Sequence, residues 1–168
     1  RNKKKLNIFQ KNFVNFIFTD LLNDKIIIPP SVTTIINLAF ITPNINKYNF
    51  ESNIKINENL IYSIRKHGQI KKIINFSSMA IYSQLQDHKS VNEKVYKYSN
   101  NEYAKSKLNS EKKFFEMDIE YVYNLRLPAV LINAYSKNFL TELIKKIILK
   151  ENIVLYNPNN MFNNVIDL

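Results

Sequence analysis

The chain has 168 residues, enough for one domain of ordinary size with its own core but not for two large autonomous folds. Hydrophobic residues make up 45% and charged residues 23%, the balance of a globular protein, which excludes disorder or a fibrous architecture as the main reading. Zero cysteines exclude disulfides, thiolate nucleophiles and zinc–cysteine sites together, and the two isolated histidines, His67 and His88, leave no basis for a metal centre.

A net charge of +10 and a pI near 9.6 would ordinarily raise nucleic acid or an anionic membrane as partners. The composition argues against that. Asn, Ile and Lys together supply about 71 of the residues, the signature of an AT-rich coding sequence, so the lysine excess reads as scattered surface charge and a nucleic-acid partner is not expected. Apolar runs such as Lys25–Pro29 and Leu143–Leu149 are far shorter than the ~20 residues that cross a bilayer, so no membrane span is expected. The basic start Arg1-Asn-Lys-Lys-Lys lacks the apolar run and small-residue cleavage site of a signal peptide.

In chain order, β-branched and aromatic segments alternate with segments of helical period, the pattern of βαβ units and a mainly parallel sheet. A first strand is predicted near Phe13–Phe18, and Pro29-Pro30 then forms a connector without two backbone donors. A second strand is predicted at Thr34–Leu38, followed by a helix over Phe50–His67 with Ile54, Ile56, Leu60, Ile61 and Ile64 on its apolar face. The single glycine, Gly68, falls at the end of that helix, where a C-cap needs positive φ. Next come a strand at Lys72–Phe76, a helix over Asn101–Met117, a strand at Glu120–Leu125, a helix over Asn138–Lys150 and a last strand at Ile153–Tyr156. The helix over Asn138–Lys150 sets Leu140, Leu143, Ile144, Ile147 and Ile148 opposite Lys145, Lys146 and Lys150.

Tyr103-Ala-Lys-Ser-Lys107 places a phenol and an ammonium four residues apart on one helix face. A neighbouring cation favours phenolate over phenol, which makes a tyrosine usable as a general acid or base. Spacing alone does not single it out, because Tyr62-Ser-Ile-Arg-Lys66 has the same form and either pair fits an ordinary solvated face. Context separates the two. Upstream of Tyr103, Ile73-Ile-Asn-Phe-Ser77-Ser78 is a strand of buried type that runs into two hydroxyl residues at its C-terminal end, where open α/β sheets carry their sites. Nothing comparable precedes Tyr62. Taken alone, Ser77 and Ser78 would read as a strand-ending turn or a helix cap.

Several segments, in order, resemble the extended short-chain dehydrogenases/reductases, specifically the NAD-dependent epimerase/dehydratase family acting on sugar nucleotides. Ile35-Ile-Asn-Leu-Ala39 is similar to the family's fourth strand with its Ala-containing turn, and Phe50-Glu-Ser-Asn53 to the Asn at the start of its next helix. Lys71–Tyr82 resembles the strand with the catalytic serine, and Asn101-Glu-Tyr-Ala-Lys-Ser-Lys107 the Tyr-x-x-x-Lys helix. Asn124-Leu-Arg-Leu-Pro128 resembles the segment after the sixth strand, and Phe162–Leu168 the start of the family's Phe-x-x-Val-x-Val-x-Asp-Leu.

The resemblance implies an α/β fold with a Rossmann-like, doubly wound, mainly parallel sheet. It divides the chain into a partial NAD-binding domain over residues 1–150 and the start of a substrate-binding region over 151–168. It makes Tyr103 the acid/base, Lys107 its partner and a ligand of the nicotinamide ribose, and Ser78, the second of its pair, the hydroxyl that binds the reacting sugar oxygen. Asp20 and Leu21 would contact adenine; Leu38, Ala39, Phe40 and Asn53 would line the cofactor, and Pro128 would sit near the nicotinamide. NAD or NADP is the implied cofactor and a nucleotide sugar the substrate, with proton and hydride transfer through a keto sugar. A homodimer, the cytoplasm and surface polysaccharide synthesis are the implied setting.

One departure weighs against activity. The family opens with a Gly-x-x-Gly-x-x-Gly turn that lets backbone approach the pyrophosphate, and one glycine at position 68 cannot build it. The sequence therefore reads as truncated at both ends relative to the family, with the first β-α unit missing, and the chain alone is expected to be inactive. The rival reading is a degenerate, non-catalytic Rossmann-like binding module.

Overall fold

The computed structural model describes residues 17–41, 50–82, 101–131, 139–154 and 165–167; for 129–131, 139–140 and 165–167 it describes the backbone. Strand β1 is Thr34–Asn37, helix α1 Phe50–His67, strand β2 Lys72–Ser78, followed by a 3-10 turn over Met79–Tyr82. Helix α2 is Glu102–Phe115, strand β3 Tyr121–Leu127, strand β4 Ala129–Leu131, helix α3 Phe139–Ile148 and strand β5 Val165–Asp167. Strands β1, β2 and β3 form a parallel sheet in that order, and β4 pairs with β5 in a separate parallel ribbon. This is the α/β architecture expected from the alternation of strand and helix patterns, and the Rossmann-like fold that the resemblance implies.

Helix α1 has the predicted bounds, and α2 lies within them, with Asn101 as its N-cap accepting the Tyr103 N–H at 2.9 Å. Strands β2 and β3 each run two residues past the predicted ends, because their pairing continues to Ser78 opposite Leu127. The strand predicted near Phe13–Phe18 is not formed at Ile17 and Phe18, and its remainder lies outside the described residues. At Ile153 and Val154 the chain likewise forms no strand, and Leu155 and Tyr156 lie outside. The short strands β4 and β5 carry three residues each, too few for an alternation pattern to register.

Two crossovers stepping in the same direction across a sheet place their helices on one face when both are right-handed. Alternation within the strands agrees: in β2, Ile73, Asn75 and Ser77 are buried while Ile74, Phe76 and Ser78 are half-buried. Between sheet and helices lies the core of Leu60, Ile61, Ile64, Ile70, Ile73, Phe114 and Met117. Ile26, Ile28 and Val32, flanking Pro29-Pro30, pack onto its margin, so the connector is anchored as well as irregular. On the apolar side of α3, Ile144, Ile147 and Ile148 are exposed and Leu143 is half-buried, while Thr141 is buried.

Gly68 ends α1 at φ +70°, with its N–H bonded to the Ile64 carbonyl at 3.2 Å. A Cβ there would meet no atom within 4 Å, so the need for glycine is conformational and not one of space. Gly68→Ala is expected to lower stability by about 1–2 kcal/mol, the cost of a left-handed non-glycine residue. Urea unfolding should show the midpoint fall with an unchanged slope, and Gly68→Asn should lose less.

Candidate active site

A crossover helix runs antiparallel to the strands it connects, so its first turns stand over the strands' C-terminal ends. Tyr103 and Lys107 occupy the first two turns of α2 and therefore lie at that edge, beside the end of β2. The Lys107 ammonium donates to the Phe76 carbonyl at 2.8 Å, two residues before Ser78. It stands 3.8 Å from the centre of the Phe40 ring and 5.9 Å from that of Tyr103. The Phe40 and Tyr103 rings meet edge to face, with centroids 5.4 Å apart. Burial pushes the Lys107 ammonium down to about 8, against the opposing pull of Glu111 one helical turn on.

The turn that carries Phe40 is pinned at both sides by asparagines. Asn37, at the end of β1, accepts the Ala39 N–H at 3.2 Å. Asn53, fully buried in the first turn of α1, accepts the Ile41 N–H at 2.9 Å and donates to the Ile41 carbonyl at 3.1 Å. Asn53 thus acts on the site through backbone, while Leu38 is exposed and Ala39 and Phe40 are half-buried. Ser77 and Ser78 have opposite fates because side chains alternate along a strand. Ser77 is buried beneath the helices, whereas Ser78 is half-buried with its Oγ accepting the Ala80 N–H at 3.2 Å, a bond that does not use the hydroxyl proton. Pro128 follows Leu127, the register partner of Ser78, and so stands at the same edge.

Asp20 and Leu21 are placed apart from this group. The Asp20 carboxylate accepts the Leu22 N–H and the Asn23 amide, both at 2.9 Å, which hold it below the usual carboxylate range. Asn59, in the middle of α1, donates to the carbonyls of Leu21 and Leu22 at 2.8 and 3.2 Å. That turn is tied to α1.

The competing pair sits at the wrong edge. Tyr62 lies in the last third of α1, toward the start of β2, and is exposed. Lys66 stands 5.0 Å from the Tyr62 ring centre, and its hydrogen bond draws that phenol below its ordinary value. The charge effect of the spacing is thus present there. Among the described residues the adjoining cleft of about 300 Å³ is lined by loop and helix residues such as Lys25, Lys55, Asn59 and Ser63 rather than by a strand end.

Sequence reasoning missed three features. The first is Asn37, Asn75 and Asn124, which are in register across the sheet: Asn37 donates to Asn75 at 3.0 Å and Asn75 to Asn124 at 2.8 Å. A signal existed, since Thr34-Ile-Ile-Asn, Lys72-Ile-Ile-Asn and Tyr121-Val-Tyr-Asn each end four residues with asparagine. The second is the Phe76 carbonyl as the lysine's acceptor, for which no side-chain pattern exists. The third is a buried pair of Arg126 and Glu111, bidentate at 2.8 and 2.6 Å, which keeps the guanidinium firmly protonated.

The chain matches the NAD dependent epimerase/dehydratase family over residues 1–161 and belongs to it. Among solved structures it is similar to the Bordetella bronchiseptica enzyme WbmG in complex with NAD and UDP, at 17% identity and a TM-score of 0.61, over 72% of this chain and 39% of that one. It is also similar to a GDP-L-fucose synthetase from Naegleria fowleri bound to NADP, at 16% identity and a TM-score of 0.50, over 80% of this chain and 51% of that one. The chain thus spans about two-fifths to half of these enzymes, and the likeness is one of fold. No curated protein matches it. Among the described residues no helix is long and apolar enough to cross a membrane.

Lys107 binds its proton less tightly folded, at about 8, than at its ordinary 10.5. Between those values the unfolded chain holds more protons, so stability rises with pH; the cost of the buried charge is fully present below the window and gone above it. The stability difference between wild type and Lys107→Met, measured by urea unfolding, is expected to move in favour of wild type from pH 8 to 10.5 and to be flat below.

Proposed function

We propose that the chain supplies the cofactor-binding part of an NAD- or NADP-dependent enzyme that epimerises or dehydrates a nucleotide sugar. The observation that carries this reading is Lys107, drawn down onto the Phe76 carbonyl at the C-terminal edge of the sheet with Tyr103 beside it and Ser78 at the same strand end. Tyr103, held as the phenolate by the neighbouring Lys107 ammonium, takes the proton from a sugar hydroxyl and becomes the neutral phenol. Ser78 donates its hydroxyl proton to the reacting sugar oxygen. NAD or NADP, when bound, accepts and returns the hydride.

In this reading Lys107 also donates to the nicotinamide ribose, Leu38, Ala39 and Phe40 wall the cofactor, Asn53 fixes their turn, and Pro128 closes the nicotinamide side. Asp20 and Leu21 meet the adenine end. Residues 1–150 form the cofactor domain and 151–168 begin the substrate region, within a homodimer that works in the cytoplasm on surface polysaccharide precursors. The second reading, a non-catalytic Rossmann-like binding module, is favoured by the single glycine, already used as a helix cap.

Turnover of UDP- and GDP-sugars with NAD or NADP by the full-length enzyme that carries this chain, followed by product chromatography, tests the choice. Tyr103→Phe is expected to lower kcat by about 10²–10⁴ with cofactor affinity nearly unchanged, since it removes a proton-transfer group and little binding surface. Tyr62→Phe should leave kcat unaltered. NAD binding in calorimetry without turnover of any nucleotide sugar would favour the binding module.

A further inference from the structure

Arg126 is the sixth residue of β3, and its side chain lies in the layer between sheet and helices, 10% exposed against 5% for Glu111. Such a pair is a poor device for stability alone, because the desolvation of two charges offsets most of their attraction and an apolar pair of similar volume would hold helix to strand as well. What an apolar pair lacks is direction. The guanidinium places Nε and Nη2 on the two Glu111 oxygens and turns Nη1 to the Tyr82 hydroxyl. Its central carbon also stands 4.9 Å from the centre of the Tyr82 ring. One planar group therefore bonds two elements besides its own strand.

Those two elements carry the proposed reaction. Glu111 lies one helical turn beyond Lys107 and two beyond Tyr103, on the same side of α2. Tyr82 closes the 3-10 turn that starts directly after Ser78, the turn in which the Ser78 Oγ accepts the Ala80 N–H. Upstream of Ser78, the Lys107 bond to Phe76 ties the same helix to the same strand. Ser78 is thus held between two anchors that both end on α2.

We propose that Glu111, Arg126 and Tyr82 form a strap that fixes the Ser78 turn against the helix of Tyr103 and Lys107, and that all three act as positioning residues; the inference rests on the roles given above to Ser78, Tyr103 and Lys107. Positioning of this kind matters because a displacement of about 1 Å at a reacting group costs on the order of 10²-fold in rate. Tyr82 enters the strap by its hydroxyl, and neither it nor Arg126 needs to touch the substrate.

Tyr82→Phe is the discriminating variant, because it removes one oxygen and keeps the ring under the guanidinium. Hydrogen exchange of the amides of Met79, Ala80, Ile81 and Tyr82 is expected to quicken by about tenfold or more, while those of Ile64, Ile73 and Phe114 keep the wild-type rate. In turnover, kcat should fall about tenfold or more with KM for nucleotide sugar and cofactor within about twofold, and Tyr123→Phe, on the exposed side of β3, should change neither. Arg126→Lys, which keeps the charge without the fork, should not restore the pattern, whereas an Arg126→Lys protein of wild-type kcat and exchange would overturn the strap. Unchanged exchange in Tyr82→Phe overturns it whatever the turnover. Quickened exchange with an unchanged kcat overturns the positioning role. Wild-type full-length enzyme carrying this chain that turns over no nucleotide sugar overturns the functional reading instead, and the positioning role with it, while the exchange comparison still decides whether the strap exists.

Discussion

Across the middle of the sheet, Asn37, Asn75 and Asn124 form a row of amides in which Asn37 and Asn75 each donate to the side-chain oxygen of the next strand's asparagine, and Asn124 donates to the Glu111 carbonyl on α2 at 3.5 Å. The Ser110 hydroxyl, from α2, reaches the central oxygen at 3.3 Å. Asn37 and Asn75 are buried, and a buried amide left without partners costs about 1–3 kcal/mol. Only one register satisfies the row. A slip of one residue along any strand would turn its asparagine to the opposite face and break the chain of donors. The other positions follow from this constraint: Ala39 donates its N–H to Asn37, and Ser78 falls opposite Leu127, so that the strand ends carrying the proposed chemistry stand level.

The same row sets the helix. Ser110 binds it from one turn of α2, and Lys107 reaches Phe76 on the central strand from the turn before. Burial of an ammonium is opposed by desolvation, which is why Lys107 gives up its proton more readily than an exposed lysine. The charge is tolerated because a carbonyl oxygen, the face of Phe40 and the carboxylate of Glu111 each offset part of that cost. A helix anchored in this way presents Tyr103 in its first turn, ordered by the Asn101 cap, where the end of β2 and the Phe40 turn converge.

Much of this was legible from residue types and their order. The helices were readable from apolar spacing, the Gly68 cap from a lone glycine at a helix end, and the central strands from β-branched runs. Their ends were not, since a strand stops where its neighbour stops pairing, and β2 and β3 extend each other. The apolar side of α3 shows the limit of periodicity, which states that a face is apolar and not that anything covers it. Tyr62 and Lys66 show the limit of spacing: Lys66 draws the Tyr62 phenol below its ordinary value, but at the opposite edge of the sheet.

Sequence by itself determined the βαβ alternation and the parallel character of the sheet, and it offered Ser78, Tyr103 and Lys107 as candidates, because these depend on side-chain type and on patterns local to each segment. Tertiary structure alone decided that the asparagine row sets the register, that Phe40 rather than solvent faces the lysine, and that Arg126 joins Glu111 to Tyr82. Each of these is a contact between groups 15 to 67 positions apart in the chain. No local propensity encodes such a meeting; it exists only once the strands have been brought into line and the helix has closed over them.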